Sequence, residues 1–120
     1  MATSMKELFE IVDRMDPGAF AERFTEDGRF RFGNAPTVTT RAGIADSVEQ
    51  FFSSLSSLRH DIQDVWEQDD VVITEVEATY VRTDGHEVSL PAVTVARTDG
   101  DLIRDYRIYM DINPLFESPA

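Results

Sequence analysis

His60 is the residue of this sequence best suited to moving protons. A neutral imidazole can accept or donate a proton near pH 7, which suits histidine to general acid and base catalysis. Alternation along the predicted strand from His60 to Trp66 places His60, Ile62 and Trp66 on one face. We therefore predict that His60 is a catalytic residue facing an interior pocket. The alternative is a structural histidine that is hydrogen-bonded at a strand end.

Two tyrosines and a charged triplet are the other polar candidates. Tyr80 and Tyr106 could donate a hydrogen bond to a ligand carbonyl, or their rings could fill the core. Asp105, Arg107 and Asp111 lie at even spacings on one predicted strand, so they share a face. That face is the more polar one, which favours a surface or interface role over a catalytic one.

Nothing in the sequence indicates a metal or a cofactor. There is no cysteine, and the two histidines are not accompanied by carboxylates at ligand spacing. Glycine-rich phosphate-binding loops are also absent. We predict no metal site and no cofactor. The second histidine, His86, lies in a predicted turn and is expected to be solvated.

Charge and hydropathy exclude several kinds of partner. The chain carries 11 Lys and Arg against 23 Asp and Glu, a formal net charge of −12. Such a surface repels nucleic acids and anionic membranes. The sequence has no apolar run long enough to span a bilayer and does not begin with the pattern of a signal peptide. We expect a cytoplasmic protein that binds neither nucleic acid nor membrane.

The elements that would position these residues follow from capping and periodicity. Ser4, Asp16-Pro17 and Thr40 are predicted starts of three helices, the first over 4–15 and the third over 41–57. Strands are predicted over 29–32, 60–66, 71–82, 87–97 and 102–112, with turns at two Arg-Thr-Asp-Gly segments. This order predicts one α+β domain over residues 1–120. Its three N-terminal helices would pack on a cone-shaped, curved antiparallel sheet of about five strands.

The register of the predicted hairpins decides which face lines the cone. A two-residue turn at Asp84-Gly85 would place Tyr80 opposite Ser89. The more apolar face then supplies the predicted ligand pocket, which consists of Phe30, Phe32, Trp66, Val76, Ala78, Tyr80, Val93, Tyr106, Ile108 and Met110. The opposite face carries Glu77 and Arg107, which would lie in one row and could form an ion pair.

Four short motifs follow one another along the chain, namely Phe24-Thr25-Glu26-Asp27-Gly28, Arg41-Ala42-Gly43-Ile44, Leu58-Arg59-His60 and Asp105-Tyr106-Arg107-Ile108-Tyr109-Met110-Asp111. In their order and spacing they resemble the nuclear transport factor 2-like superfamily, and specifically its SnoaL-like branch. The resemblance covers nearly the whole chain. It implies the ketosteroid isomerase-like cone with a pocket, and commonly a homodimer formed through the outer face of the sheet.

Two mechanisms known in that superfamily do not fit this sequence. The resemblance places the carboxylate, tyrosine and second acid of ketosteroid isomerases at Phe32, near Leu8 and at Ala92 or Val93. It places the polar residues of limonene epoxide hydrolases at Val76, Ala78 and Ile108. Hydrocarbon side chains can neither take a proton nor stabilise an oxyanion. SnoaL-like cyclases and scytalone dehydratase, by contrast, use histidine and acid groups in such cones.

Three functions therefore stay open at this point. The first is a homodimer that binds a small hydrophobic metabolite and performs cofactor-free proton transfer, as a polyketide cyclase-like, isomerase or dehydratase enzyme. His60 would then be the acid or base. The second is a non-catalytic carrier or sensor that lacks the usual catalytic residues. The third is a structural dimer whose cone is filled by its own side chains.

Overall fold

The computed structural model describes residues 4–117 and contains a curved, open sheet with helices packed against it. The helices are α1 (Met5–Asp13), α2 (Pro17–Glu22), α3 (Arg41–Phe52) and α4 (Asn113–Phe116). The strands are β1 (Phe24–Phe32), β2 (Val38–Thr39), β3 (Leu55–Gln68), β4 (Val71–Arg82), β5 (Glu87–Asp99) and β6 (Leu102–Tyr109). Their order across the sheet is β2-β1-β6-β5-β4-β3.

The predicted α+β class and the curved sheet are confirmed, with two corrections to the sheet. It has six strands in the described chain, because the short β2 pairs with β1. It is also mixed rather than antiparallel, since β1 runs parallel to β6. A parallel neighbour requires a long crossover, and the segment from α3 through β5 supplies it. Residues 1–3 and 118–120 of the predicted domain lie outside the described residues.

Side-chain caps start the first three helices where the sequence predicts. Ser4 accepts a hydrogen bond from the backbone N–H of Glu7 at 3.4 Å, and Asp16 accepts one from Ala19 at 3.1 Å. Thr40 accepts one from Gly43 at 3.1 Å. Each cap satisfies a backbone donor that has no partner within its helix.

The ends of several elements differ from the prediction. Helix α3 ends at Phe52 and β3 already begins at Leu55, so β3 is much longer than predicted. Strand β1 begins at Phe24 rather than Arg29. The strand predicted over 102–112 ends at Tyr109, and Asn113-Pro114 begins α4, because proline is well suited to the first turn of a helix.

The β4–β5 hairpin places β5 one residue away from its predicted register. The backbone N–H of Arg82 donates to the carbonyl of His86 at 2.8 Å, so the loop holds three residues rather than two. Gly85 adopts φ +91°, the left-handed conformation that such loops place at their last residue. A one-residue slip moves every β5 side chain to the other face. Tyr80 therefore pairs with Val88 and Val76 with Ala92.

A bulge in β3 reverses the face of Trp66. His60 pairs with Ala78 and Ile62 with Val76, but the register shifts before Asp64. Beyond that bulge Trp66 lies opposite Ile73, on the outer face, with half of its surface exposed. The prediction that Trp66 shares a face with His60 is therefore wrong, because one extra residue interrupts the alternation.

The predicted ion pair between Glu77 and Arg107 is also replaced. Glu77 lies opposite Pro91 and Arg107 lies opposite Val95, four residues further along β5. Arg107 instead donates from Nε to Oδ1 of Asp105 at 3.1 Å.

Gly28 lies where β1 breaks its pairing with β6, and it permits a close approach of the backbone. A Cβ at this position would lie 2.9 Å from Cβ of Phe24 and 3.0 Å from the carbonyl oxygen of Thr25. We expect Gly28→Ala to lower the free energy of unfolding by about 1–3 kcal/mol, the usual cost of overpacking. Urea denaturation would measure it. Gly18→Ala is the control, since its new methyl group would meet only Asp16 Oδ1 within 4 Å, at 3.8 Å. Equal stability of the two variants would refute the steric argument.

Candidate functional site

The concave face of the sheet and the helices enclose a cavity of about 620 Å³. This volume is within the usual range for a small-molecule site. Eight of the predicted catalytic and pocket residues line it, namely Phe30, Phe32, His60, Val76, Tyr80, Tyr106, Ile108 and Met110. The cavity also counts against the third hypothesis, in which the protein's own side chains fill the cone.

Three predicted pocket residues lie elsewhere. Trp66 is on the outer face because of the β3 bulge. Val93 is on the outer face because of the register of β5, where Ala92 and Thr94 take the inward positions. Ala78 points inward but is fully buried in the core and does not line the cavity.

His60 lies on the cavity wall with a carboxylate bonded to it. Its Nδ1 is 2.7 Å from Oδ1 of Asp13, and its backbone N–H donates to Oδ2 of the same residue at 3.1 Å. The His60 side chain is 10% exposed and that of Asp13 is 26% exposed. When Asp13 accepts the Nδ1 proton, a neutral His60 ring carries its free lone pair on Nε2. This is the arrangement that a general base requires.

Helix α1 supplies two neighbours of the His60 ring, Phe9 and Asp13. The ring of Phe9 lies 4.8 Å from the imidazole, centroid to centroid. Asp13 is four residues further along the same helix and therefore lies on the same side as Phe9. Sequence reasoning missed Asp13 and left His60 without a carboxylate. The signal available in the sequence was the spacing of Asp13, an acidic residue four positions after the apolar Phe9 on the same predicted helix.

Tyr80 is the polar neighbour of His60 on the sheet. The two rings lie edge to face at 6.5 Å, and the Tyr80 hydroxyl donates to Sδ of Met110 at 3.6 Å. Burial raises the pKa of Tyr80 well above its ordinary value, and the nearby Tyr106 and Asp13 raise it further. The phenol therefore stays protonated at neutral pH and acts as a donor. Its bond to a thioether is weak, so a ligand oxygen can replace it.

A second polar group lines the cavity on β5 and β6. It consists of Thr94 and Tyr106, which are each only 2% exposed. Burial raises the pKa of Tyr106, and the nearby Thr94 hydroxyl partly offsets the rise. Thr94 Oγ1 nevertheless makes no hydrogen bond of standard geometry with any residue in 4–117.

The C-terminal segment forms part of the cavity mouth. Phe116 of α4 lines the cavity but is 58% exposed, and Asn34 and Asp111 lie beside the opening. Arg82 holds this segment against the sheet, since its Nη1 donates to the carbonyls of Leu115 at 3.0 Å and Glu117 at 2.9 Å. The side chain of Arg82 also pairs with Asp84.

The charged triplet of β6 does not act as a unit. Asp105 and Arg107 pair with each other and do not line the large cavity, whereas Asp111 lies beyond the end of β6 at the cavity mouth. The alternation that would place all three on one face stops where the strand ends. His86 also differs from expectation, because it is half-buried and its Nε2 has no hydrogen-bond partner among the described residues.

Within residues 4–117, no three His, Cys, Asp or Glu side chains come close enough together to hold a metal ion. None of the four helices described there has the length and apolar character needed to cross a bilayer.

The SnoaL-like domain family model matches residues 5–106. The chain belongs to this family. Among solved structures, this SnoaL-like domain is similar to a hypothetical protein with a ketosteroid isomerase-like fold from Catenulispora acidiphila DSM 44928, in complex with trimethylamine. The TM-score is 0.82 and the identity 19%, with 89% of this chain and 85% of that chain covered.

Two further neighbours have related folds. A putative SnoaL-like polyketide cyclase from Jannaschia sp. CCS1 has a TM-score of 0.77 and 16% identity, covering 92% of this chain and 87% of that chain. ActVI-ORFA from Streptomyces coelicolor has a TM-score of 0.72 and 24% identity, covering 88% and 90% respectively. At such identities the likeness establishes the fold and leaves the activity open. No curated protein matches this chain.

Proposed function

We propose that this SnoaL-like domain binds a small hydrophobic carbonyl compound and transfers a proton on it without a cofactor. Cyclisation, isomerisation and dehydration are the reaction types that this chemistry allows. The observation that carries the proposal is the Asp13–His60 pair on the wall of an apolar cavity, with Nδ1 and Oδ1 2.7 Å apart.

Each residue has a defined part in the proposed step. Nε2 of His60 takes a proton from the carbon next to the carbonyl. The electron pair of that C–H bond forms a C=C bond, and the carbonyl oxygen takes the negative charge of the resulting enolate. The hydroxyl of Tyr80 donates to the enolate oxygen and disperses its charge. Asp13 stabilises the imidazolium, which then returns the proton to a different atom of the substrate. The reaction is therefore balanced without an external reagent.

Deuterium exchange of a probe ketone tests this function without knowledge of the natural substrate. The protein is incubated with 2-tetralone in D₂O, and the α-proton signals are followed by NMR against buffer alone. We expect exchange faster than in buffer. Exchange at the buffer rate, with calorimetry showing that the probe is bound, would favour the non-catalytic carrier or sensor instead.

A homodimer is a second part of the proposal, and the outer face of the sheet supports it. Trp66, Ile73 and Val95 form one row across β3, β4 and β5. In the next row Val93 pairs with Tyr109, which is 54% exposed. Exposed apolar side chains grouped in this way, with charged residues such as Glu75 and Arg107 beside them in the same rows, are typical of protein–protein contacts. We propose that a second copy of the chain covers it.

Ile73→Glu is expected to convert a dimer into a monomer. A two-fold axis would place two new carboxylates in the apolar contact, each losing its hydration without a partner. Light scattering coupled to size-exclusion chromatography measures the mass. Val65→Glu is the matched control, because Val65 pairs with Thr74 and so lies on the other face of the sheet. A wild-type monomer, or equal masses of the two variants, would reject this interface.

The cytoplasmic location stays a prediction from the sequence.

A further inference from the structure

The Thr94 hydroxyl is a buried hydrogen-bonding group on the cavity wall, close to the Tyr106 hydroxyl, whose pKa it lowers. Thr94 is 2% exposed, and within residues 4–117 its Oγ1 has no hydrogen-bond partner of standard geometry. A buried polar group without a partner costs free energy, so native proteins usually satisfy it. Thr94 lines the cavity, so a small rotation of its side chain would bring the buried hydroxyl to a ligand atom.

Tyr106 provides a second hydroxyl at the same place. Thr94 pairs with Ile108 and Tyr106 with Ala96, so the two are neighbouring inward positions on adjacent strands. The Tyr106 ring is held against Phe30 at 6.1 Å and against Phe20 at 5.9 Å, centroid to centroid. This packing gives the phenol little freedom to move away from Thr94.

Thr94 lies several strand positions away from His60, whereas Tyr106 is near enough to Tyr80 to raise its pKa. His60 pairs with Ala78, whereas Thr94 pairs with Thr74. These positions on β4 are four residues apart, or about 13 Å along the strand. Apolar side chains, including Val76 and Ala92, line the cavity between them. The cavity wall thus has polar groups at two places on the sheet, with apolar side chains between His60 and Thr94.

We propose that Thr94 and Tyr106 form a second binding subsite, which holds a hydroxyl or carbonyl oxygen at the far end of the ligand. This inference rests on the proposed function, since it adds a feature to the same substrate. The ligand class is then an elongated, largely apolar ring compound with oxygen at both ends. One oxygen belongs to the carbonyl beside His60 and Tyr80, and the other binds Thr94 and Tyr106.

The test compares two probes that differ by one hydroxyl group. Calorimetry gives the affinities of 2-tetralone and 6-hydroxy-2-tetralone, whose hydroxyl lies across the ring system from the ketone. The wild-type protein should bind the hydroxylated probe about five- to tenfold more tightly, the effect of one net hydrogen bond. Thr94→Val keeps the side-chain shape and should abolish this preference.

Thr74→Val is the matched control. The Thr74 hydroxyl is also buried without a partner among the described residues, but Thr74 does not line the cavity. This variant should keep the preference for the hydroxylated probe. An equal preference in wild type and Thr94→Val, or none in the wild type, overturns the subsite while exchange on 2-tetralone continues to support the proposed function. Failure of both probes to bind overturns both proposals.

A crystal structure of the wild-type protein with 6-hydroxy-2-tetralone provides a second measurement that does not depend on a variant. We expect the probe hydroxyl within hydrogen-bond distance of Thr94 Oγ1. Density placing that hydroxyl elsewhere, or an ordered water bridging Thr94 and Thr74 beside the bound probe, overturns the subsite.

Discussion

Replacing His60 with glutamine is expected to slow α-proton exchange on 2-tetralone by about 10²–10⁴-fold, the usual contribution of a positioned general base. Glutamine keeps much of the side-chain volume but cannot take a proton at neutral pH. The affinity for the probe should change little, because burial of apolar surface dominates binding. NMR gives the exchange rate and calorimetry gives the affinity, so the two effects are separated.

Asp13→Asn tests whether Asp13 selects the His60 tautomer that can accept a proton on Nε2. The amide keeps an oxygen that can accept the backbone N–H of His60, which Asp13 accepts at 3.1 Å. Its nitrogen, however, can donate to Nδ1 and so favour the tautomer that carries its proton on Nε2. That tautomer has no lone pair on Nε2, and we expect slower exchange with unchanged probe affinity.

His86→Gln is the matched control for both variants. It removes the other histidine of the chain, which lies at the β4–β5 turn and does not line the cavity. Exchange should continue at the wild-type rate. If His60→Gln binds the probe and also exchanges it at the wild-type rate, His60 is not the base.

Truncation of Phe24 to alanine is expected to lower the free energy of unfolding by about 3–5 kcal/mol. Phe24 is fully buried, and its ring lies 5.2 Å from Phe20, 6.2 Å from Tyr106 and 6.4 Å from Phe30. Alanine would leave a void among rings that α2, β1 and β6 hold in place. Because domains are typically stable by only about 5–15 kcal/mol, this loss is a large share.

Urea denaturation of the wild type, Phe24→Ala and Phe24→Leu would measure the effect. Leucine refills part of the void and should restore part of the stability. Phe116→Ala serves as the control, since Phe116 is 58% exposed and its removal should cost little stability. Equal losses for Phe24→Ala and Phe116→Ala would show that the aromatic cluster does not stabilise the fold.

Much of the fold could be predicted because helix caps and strand alternation depend on residues close together in the sequence. Ser4, Asp16 and Thr40 begin helices through contacts three residues away, and the inward face of β4 follows from alternation between Val72 and Tyr80. The faces of β5 and of the far end of β3 could not be predicted in this way. They depend on one additional loop residue beside Gly85 and on one bulge after Ile62.

The same distinction between local and long-range contacts applies to the candidate site. The order of elements, an apolar interior and the inward position of His60 could be predicted from local patterns along the chain. The approach of Asp13 to His60 joins residues 47 apart and depends on the docking of α1, and the β5 register turns Thr94 into the cavity. Caps and alternation act over a few residues, whereas strand register and helix docking are settled by packing across the whole domain.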